Sequence, residues 1–228
     1  MRRAEILRKG FHGAGDFLRE LLIITVGLLI ALALNDVVEW QQHRSLVRAA
    51  ETSLHTEIEG NLKTLAAIRG QIRDEQAKID DDLQILRQFR DQPGVTPGKK
   101  LSVEFKMEAF DDTAWKTAQA TGAFTYMPYA EVETFSSIYY MQDEVIRAQQ
   151  EAVNDALGAA AVLVTKPAGE RPSPAEVGEI IPRLGMFKMR LIFLTALIDS
   201  LDRNYQDYRV RGAQRPTRAG TAPTPSRS

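Results

Sequence analysis

Cysteine is absent from this chain, which has 228 residues and only 3 histidines. Without thiols the protein forms no disulfide, holds no iron–sulfur cluster and uses no cysteine nucleophile. The net charge is −1, so the chain also lacks the basic excess with which proteins bind nucleic acid. These absences exclude several classes of enzyme and redox protein, and nucleic acid is not predicted as a partner.

Motifs for catalysis and for cofactors are missing as well. The sequence has no P-loop, no dinucleotide fingerprint, no G-x-S-x-G elbow and no H-E-x-x-H zinc motif. His55 and Glu59 stand four residues apart, but two side chains are fewer than zinc sites in proteins use. The acidic run 80–82 lacks the turn that a calcium loop requires. We therefore predict a non-enzymatic protein without a cofactor or a metal.

Glycine and proline are concentrated at a few boundaries, mainly 92–98 and 166–174. The stretches between them are rich in Ala, Leu, Glu, Gln and Arg, which favour helices. From 40 to 90, apolar residues recur at a spacing of seven: Ile58, Leu65, Ile72, Ile79 and Leu86. This pattern predicts an all-α protein, in which a long amphipathic helix packs with about three further helices as an antiparallel bundle.

The further helices are predicted at about 103–120, 128–164 and 183–209, and whether Asp111 and Asp112 split the first of these helices stays open. Gly122 follows the first of them as a C-terminal cap, and Pro182 is predicted to separate a short helical turn from the last helix. That last helix carries the apolar run 191–198 and is predicted to lie at the centre of the bundle. Residues 212–228 lack apolar mass, so this tail is predicted to be disordered.

One uncharged apolar run, residues 21–34, stands out from an otherwise polar chain. Extended to residues 17–39, it is long enough to cross a bilayer, which needs about 20 helical residues. Trp40 follows at the interface, where indole rings are favoured. We therefore predict contact with the lipid bilayer through a transmembrane anchor at 17–39, between a basic arm at 1–16 and a helical domain at 40–211.

Basic residues predict the orientation of this anchor. Five stand before the uncharged run 21–34, whereas after the anchor, up to residue 50, only Arg44 and Arg48 follow; the five are Arg2, Arg3, Arg8, Lys9 and Arg19. Cytoplasmic flanks retain lysine and arginine. We expect a protein of the bacterial inner membrane with its N-terminus in the cytoplasm and its domain in the periplasm. A reversed anchor with a cytoplasmic domain is the alternative.

Two other interpretations of the apolar run stay open. A secretory signal peptide also has a basic start, an apolar middle and small residues before its cleavage site, and 31–33 would allow cleavage after Ala33. The run of 14 residues also fits a buried helix of a soluble protein. Against cleavage, Leu34, Val37 and Val38 continue the apolar segment.

Two sets of residues are candidates for binding. Gly27 and Ala31 have the small-xxx-small spacing that lets membrane helices pack closely, so they are candidate contacts of a homodimer. Aromatic residues make up only 7% of the chain, yet many lie between 105 and 140. Their rings can line a small-molecule cleft or fill the core of a bundle. The candidate pocket residues are Trp115, Phe124, Tyr126, Tyr129 and Tyr139.

Two stretches together resemble a known family. The first is ELLIITVGLLIALALN at 20–35, which runs into Glu39 and Trp40, and the second is WKTAQATGA at 115–123. The pairing resembles a family of uncharacterised bacterial proteins with a single N-terminal transmembrane helix and a helical domain. The resemblance implies an uncleaved anchor. It carries over no functional residue, because the family has no assigned activity.

The predicted function is docking. The exported helical domain is expected to dock or scaffold protein partners in the cell envelope, either a second copy in a homodimer or other envelope proteins. The alternative is a ligand-sensing periplasmic bundle that uses the aromatic region as its pocket. A solid core with an exposed apolar patch would favour docking, whereas a pocket lined by the aromatic rings would favour sensing.

Overall fold

The computed structural model describes residues 3–92, 103, 105–164 and 172–214. These ranges contain four α-helices and a 3₁₀ turn: α1 (Arg3–Asp91), α2 (Thr113–Ala120), the turn Ala123–Tyr126, α3 (Tyr129–Val164) and α4 (Pro174–Gln214). No strand occurs within them. The all-α prediction is therefore confirmed, and so are the helix at 128–164 and the cap at Gly122, whose φ is 71°.

The helix α1 is uninterrupted over 89 residues, which makes it about 130 Å long. Its apolar run contains an 18-residue window with a mean hydropathy of 2.5, none of which is buried. This part of α1 is long and apolar enough to cross a membrane. Leu21 is 49% exposed and Leu34 is 62% exposed, and such exposure does not fit the buried helix of a soluble protein.

The directions of the long helices follow from the contacts between them. In order of increasing residue number on α1, three ion pairs join α1 to α4: Glu59 with Arg209, Arg69 with Asp199, and Asp80 with Lys188. In order of increasing residue number on α3, three contacts join α3 to α4: Gln142 with Tyr205, Asp155 with Arg190, and Gly158 with Arg183. In both series the residue numbers of the partners on α4 decrease, so α4 runs antiparallel to α1 and α3.

Between α1 and α3 the chain returns towards the apolar N-terminal part of α1 as an extended segment, residues 105–112, followed by α2. The side chain of Gln71 donates to the carbonyl of Lys106 at 3.0 Å. Nearer to the apolar part of α1, Glu57 accepts the backbone N–H of Ala114 at 2.5 Å. This segment occupies the place that a second, descending helix has in a four-helix bundle.

The helix predicted at 103–120 is wrong in its first half, because α2 begins only at Thr113. Asn61 donates to the carbonyl of Asp111 at 2.7 Å and accepts its N–H at 2.8 Å. Gln149 does the same for Glu108, at 3.1 and 3.0 Å. Both amide side chains are buried. They satisfy backbone groups that a helix would otherwise pair internally, and so they stabilise the extended backbone.

The break predicted at Pro182 is also wrong, since α4 continues through it. A proline inside a helix removes a hydrogen bond and costs about 3 kcal/mol or more. Ile180 and Leu184 on either side of it are almost completely buried. Each such side chain contributes about 1.5 to 3 kcal/mol on burial, and this burial offsets the cost of continuing the helix.

The apolar run 191–198 does not lie at the centre of the bundle. Leu191, Leu194 and Ile198 are fully buried, whereas Ile192 and Phe193 are exposed. Only one face of α4 therefore packs against α1 and α3. The helix also reaches Gln214, beyond the predicted start of the tail at 212, and residues 215–228 of that tail lie outside the described residues.

Candidate functional site

A buried carboxylate, Glu57, joins three elements of the fold. It accepts the backbone N–H groups of Ala114 at 2.5 Å and Trp115 at 3.3 Å, in the first turn of α2. It also accepts the hydroxyl of Tyr139 on α3, at 2.5 Å. The first N–H groups of a helix have no partner within it, and negative charge there is favourable. Glu57 thus fixes α2 against α1 and α3.

The tyrosine hydroxyls in this region are structural. Burial raises the pKa of Tyr139 far above its ordinary value, and the hydrogen bond to Glu57 raises it further. Burial likewise raises the pKa of Tyr205, although the hydrogen bond with Gln142 acts in the opposite direction. With such pKa values both hydroxyls stay protonated at physiological pH, so neither is suited to acid–base chemistry.

The structure divides the five aromatic candidates into two groups. Trp115 stacks on Tyr139 with ring centroids 4.8 Å apart, and its centroid is also 4.8 Å from that of Phe124. Tyr126 instead stacks on His43 at 3.7 Å, and Tyr129 is 83% exposed. Three of the candidates therefore form one cluster, and Tyr126 and Tyr129 lie outside it.

A small notch of about 300 Å³ opens beside the aromatic cluster. Trp115 and Tyr139 contribute to its wall, but their stacked faces contact each other. The charged groups at its mouth include Lys116 and Asp112, which pair at 2.7 Å. The notch stands at the lower end of the range of about 300 to 1,000 Å³ for ligand sites.

A larger groove of about 740 Å³ lies between α1 and α2, and sequence reasoning missed it. Its walls are small or hydroxylated residues, among them Ala49, Ser53, Thr56, Gly60, Thr117 and Thr121. Among the described residues, the charged side chains in its lining are Glu57 and Asp111, and both are engaged in hydrogen bonds. Small residues recur along one face of α1, and this pattern could have indicated the groove from the sequence. The groove offers shape but little reactive chemistry.

The most prominent exposed apolar surface of the helical domain is on α4. Four large side chains form it, and we call it the α4 patch: Met186 (60% exposed), Met189 (61%), Ile192 (47%) and Phe193 (54%). Residues spaced three and four apart lie on one helix face, and here that face points away from the buried side of α4. Sequence reasoning missed the patch because it assigned the apolar run 191–198 to the core.

Ion pairs border the α4 patch on both sides. Lys188 pairs with Asp80 on α1. Arg190 pairs on α3 with Asp155, at 3.1 Å, and with Glu151, at 2.5 Å. An apolar centre with a polar rim is the usual anatomy of a protein interface, and methionine side chains adapt readily to the shape of a partner.

The remaining candidates from the sequence are placed as follows. Gly27 and Ala31 both lie on the exposed apolar part of α1, and a Cβ added at Gly27 meets nothing within 4 Å. A second helix therefore has room to approach there, and the homodimer contact stays a prediction. Glu59 pairs with Arg209 at 3.2 Å. Within the described residues no group of three His, Asp or Glu side chains is arranged to hold a metal.

No protein-family model matches this chain, and neither the curated proteins nor the solved structures contain a match to it. The family resemblance of the two sequence stretches accordingly stays a prediction.

Proposed function

We propose that this protein is a single-pass membrane protein that docks protein partners in the cell envelope, with the α4 patch as its docking surface. The observation that carries the proposal is the exposure of four large apolar side chains on a helix whose opposite face is fully buried. Contiguous apolar patches on monomeric proteins commonly mark interaction sites. The partner best suited to such a surface is an amphipathic helix with its own apolar face.

The energetics support a docking role for the patch. Fully burying a large apolar side chain contributes about 1.5 to 3 kcal/mol. A partner that covers Met186, Met189 and Phe193 therefore gains several kcal/mol before the entropy of association is subtracted. The paired charges at the rim limit the patch to a defined footprint.

The fold also sets the distance between the patch and the membrane. Lys188 lies beside Asp80 and Asp199 lies beside Arg69, so Phe193 is level with the part of α1 between these two partners. At 1.5 Å per residue this level is about 50 Å beyond Trp40. We place the N-terminus in the cytoplasm and the domain in the periplasm of a bacterial cell, on the evidence of the lysine and arginine bias.

Ligand sensing receives less support from the same geometry. The rings of Trp115, Phe124 and Tyr139 pack on one another, so their faces serve the core of the domain. The notch beside them is small and is flanked by the paired charges of Lys116 and Asp112. We therefore place docking first.

Site-specific photo-cross-linking tests the docking surface. A photoreactive residue is placed at Phe193, and the control is Leu157, which is 63% exposed on α3. The control is close in height to the patch, because Asp155, two residues before it, pairs with Arg190 on α4. Two residues correspond to a rotation of about 200° around the helix, so Leu157 faces away from α4. We expect a discrete cross-linked species in intact cells from position 193 and much less from 157.

The mass of that species identifies the partner. Twice 25.5 kDa indicates a second copy, and any other discrete mass indicates a different envelope protein. Equal and diffuse cross-linking at the two positions would contradict docking through α4.

The membrane anchor has its own test, the substitution Leu28→Arg. An arginine at the centre of a span costs about 2.5 to 3.5 kcal/mol on insertion scales, so we expect a clearly smaller fraction of the protein to resist extraction by alkaline carbonate. Leu157→Arg, at an exposed position of the domain, is the matched control and should leave that fraction unchanged. If the two variants behave alike, residues 17–39 do not span the membrane.

A further inference from the structure

We infer that the corner of the domain formed by residues 123–130 rests on the phospholipid headgroups of the leaflet from which α1 emerges. The inference rests on the proposed membrane anchor. It is carried by two exposed aromatic residues at this corner, Tyr126 (48% exposed) and Tyr129 (83% exposed). Tyr129 is the most exposed of the large hydrophobic residues in the structure.

The height of Tyr126 above the bilayer follows from its contact with α1. Its ring stacks on His43, with centroids 3.7 Å apart and planes inclined by 15°. His43 is three residues beyond Trp40 on a continuous helix, which is a rise of about 4.5 Å. The headgroup layer on each side of a bilayer is about 5 to 7 Å thick. Tyr126 therefore lies within the headgroup layer when α1 spans the membrane.

The height of Tyr129 follows from the direction of α3. This helix runs parallel to α1, and Tyr139 is level with Glu57 because the two side chains share a hydrogen bond. Ten residues towards the start of α3 bring the chain about 15 Å nearer to the membrane, to the level of Val47. Side chains of a helix lean towards its N-terminus, which in α3 is the membrane side. The ring of Tyr129 is thus directed from this level towards the headgroups.

The chemistry of these residues suits the site. A tyrosine combines an apolar ring with a polar hydroxyl, and tyrosine and tryptophan are enriched at membrane–water interfaces for that reason. Trp40 is 60% exposed at the same end of the domain, and the guanidinium of Arg44 lies 5.2 Å from its ring centroid. With Tyr126 and Tyr129 it forms an aromatic belt beside α1. The domain therefore contacts the membrane at two places, the anchor and this corner.

The absence of cysteine from the chain allows a direct test. Single-cysteine variants of the full chain, Ala130→Cys, Leu157→Cys and Leu28→Cys, are labelled with a fluorophore and placed in phosphatidylcholine vesicles. The vesicles carry nitroxide lipids labelled either at the headgroup or in the acyl chain. We expect headgroup nitroxides to quench the label at 130 several-fold more than the label at 157. Acyl-chain nitroxides should quench the label at 28.

The pattern of quenching separates the two proposals. If 130 is quenched no more than 157 while 28 is quenched, the corner does not touch the bilayer and the inference is overturned, although the anchor stands. If 28 is not quenched either, the anchor itself is wrong. In the Ala130→Cys background, Tyr126→Ser with Tyr129→Ser should reduce headgroup quenching at 130. Unchanged quenching there would show that the tyrosines do not hold the corner at the membrane.

Discussion

Replacing Glu57 with alanine is expected to destabilise the helical domain by about 3 to 5 kcal/mol. The buried hydroxyl of Tyr139 and the two part-buried N–H groups of Ala114 and Trp115 in α2 lose their acceptor, and a buried donor left without a partner costs about 1 to 3 kcal/mol. Domains are typically stable by only about 5 to 15 kcal/mol. Thermal unfolding of the full chain in detergent, followed by circular dichroism, should therefore show a large fall in melting temperature.

Two matched variants make the result specific to the carboxylate. Glu57→Gln keeps an acceptor oxygen and nearly the same volume, so its effect should be smaller. Glu59→Ala, two residues away, removes only the exposed ion pair with Arg209, and surface pairs contribute about 0 to 1 kcal/mol. A loss at Glu57→Ala no larger than that at Glu59→Ala would contradict the role assigned to Glu57.

The periodic parts of the fold were predictable from the sequence. Ile58, Leu65, Ile72, Ile79 and Leu86 are all at most 2% exposed. Their spacing places them on one side of a helix whatever the rest of the chain does. The existence of the long helices depends on such local patterns. The predicted breaks at 92–98 and 166–174 lie mostly outside the described residues, but α1 ends at Asp91 and α3 ends at Val164.

The parts that depend on distant contacts were not predictable. Glu57 occurs in a charged helix and looks like one more solvated residue, yet its partners are 57, 58 and 82 residues away in the chain. Asn61 holds the backbone of Asp111 across 50 residues. Amide side chains at these positions carry no local signal, and without them the segment before α2 has the composition of a helix.

The α4 patch shows a different limit of sequence reasoning. Eight consecutive apolar residues at 191–198 suggest complete burial, but a helix at the edge of a bundle can turn only one face inward. Which residues remain outside depends on the number of neighbouring helices. Here α4 has two long neighbours, so Ile192 and Phe193 remain exposed. The aromatic region shows the same limit. The sequence shows where the aromatic residues occur, but it does not show which of their rings contact one another.

The adjacent residues Phe187 and Met186 separate the two roles of α4. Phe187 is fully buried and meets Phe105 edge to face, with centroids 6.0 Å apart. Phe187→Ala should therefore destabilise the domain by about 3 to 5 kcal/mol, as expected for a large core aromatic. Met186 is 60% exposed, and Met186→Ala should change stability by no more than about 0.5 kcal/mol. Chemical denaturation of the full chain in detergent measures both changes.

Combining the same two variants with the photo-cross-linker at Phe193 distinguishes folding from docking. If Met186→Ala leaves stability unchanged and weakens cross-linking, the side chain serves the partner and not the fold. A loss of stability as large as that of Phe187→Ala would instead mean that Met186 is covered in the folded protein, and the α4 patch would no longer be a free surface. Since both residues lie on the same turn of one helix, differences in helix propensity cannot account for a gap of several kcal/mol. Only the face on which each side chain lies explains such a gap.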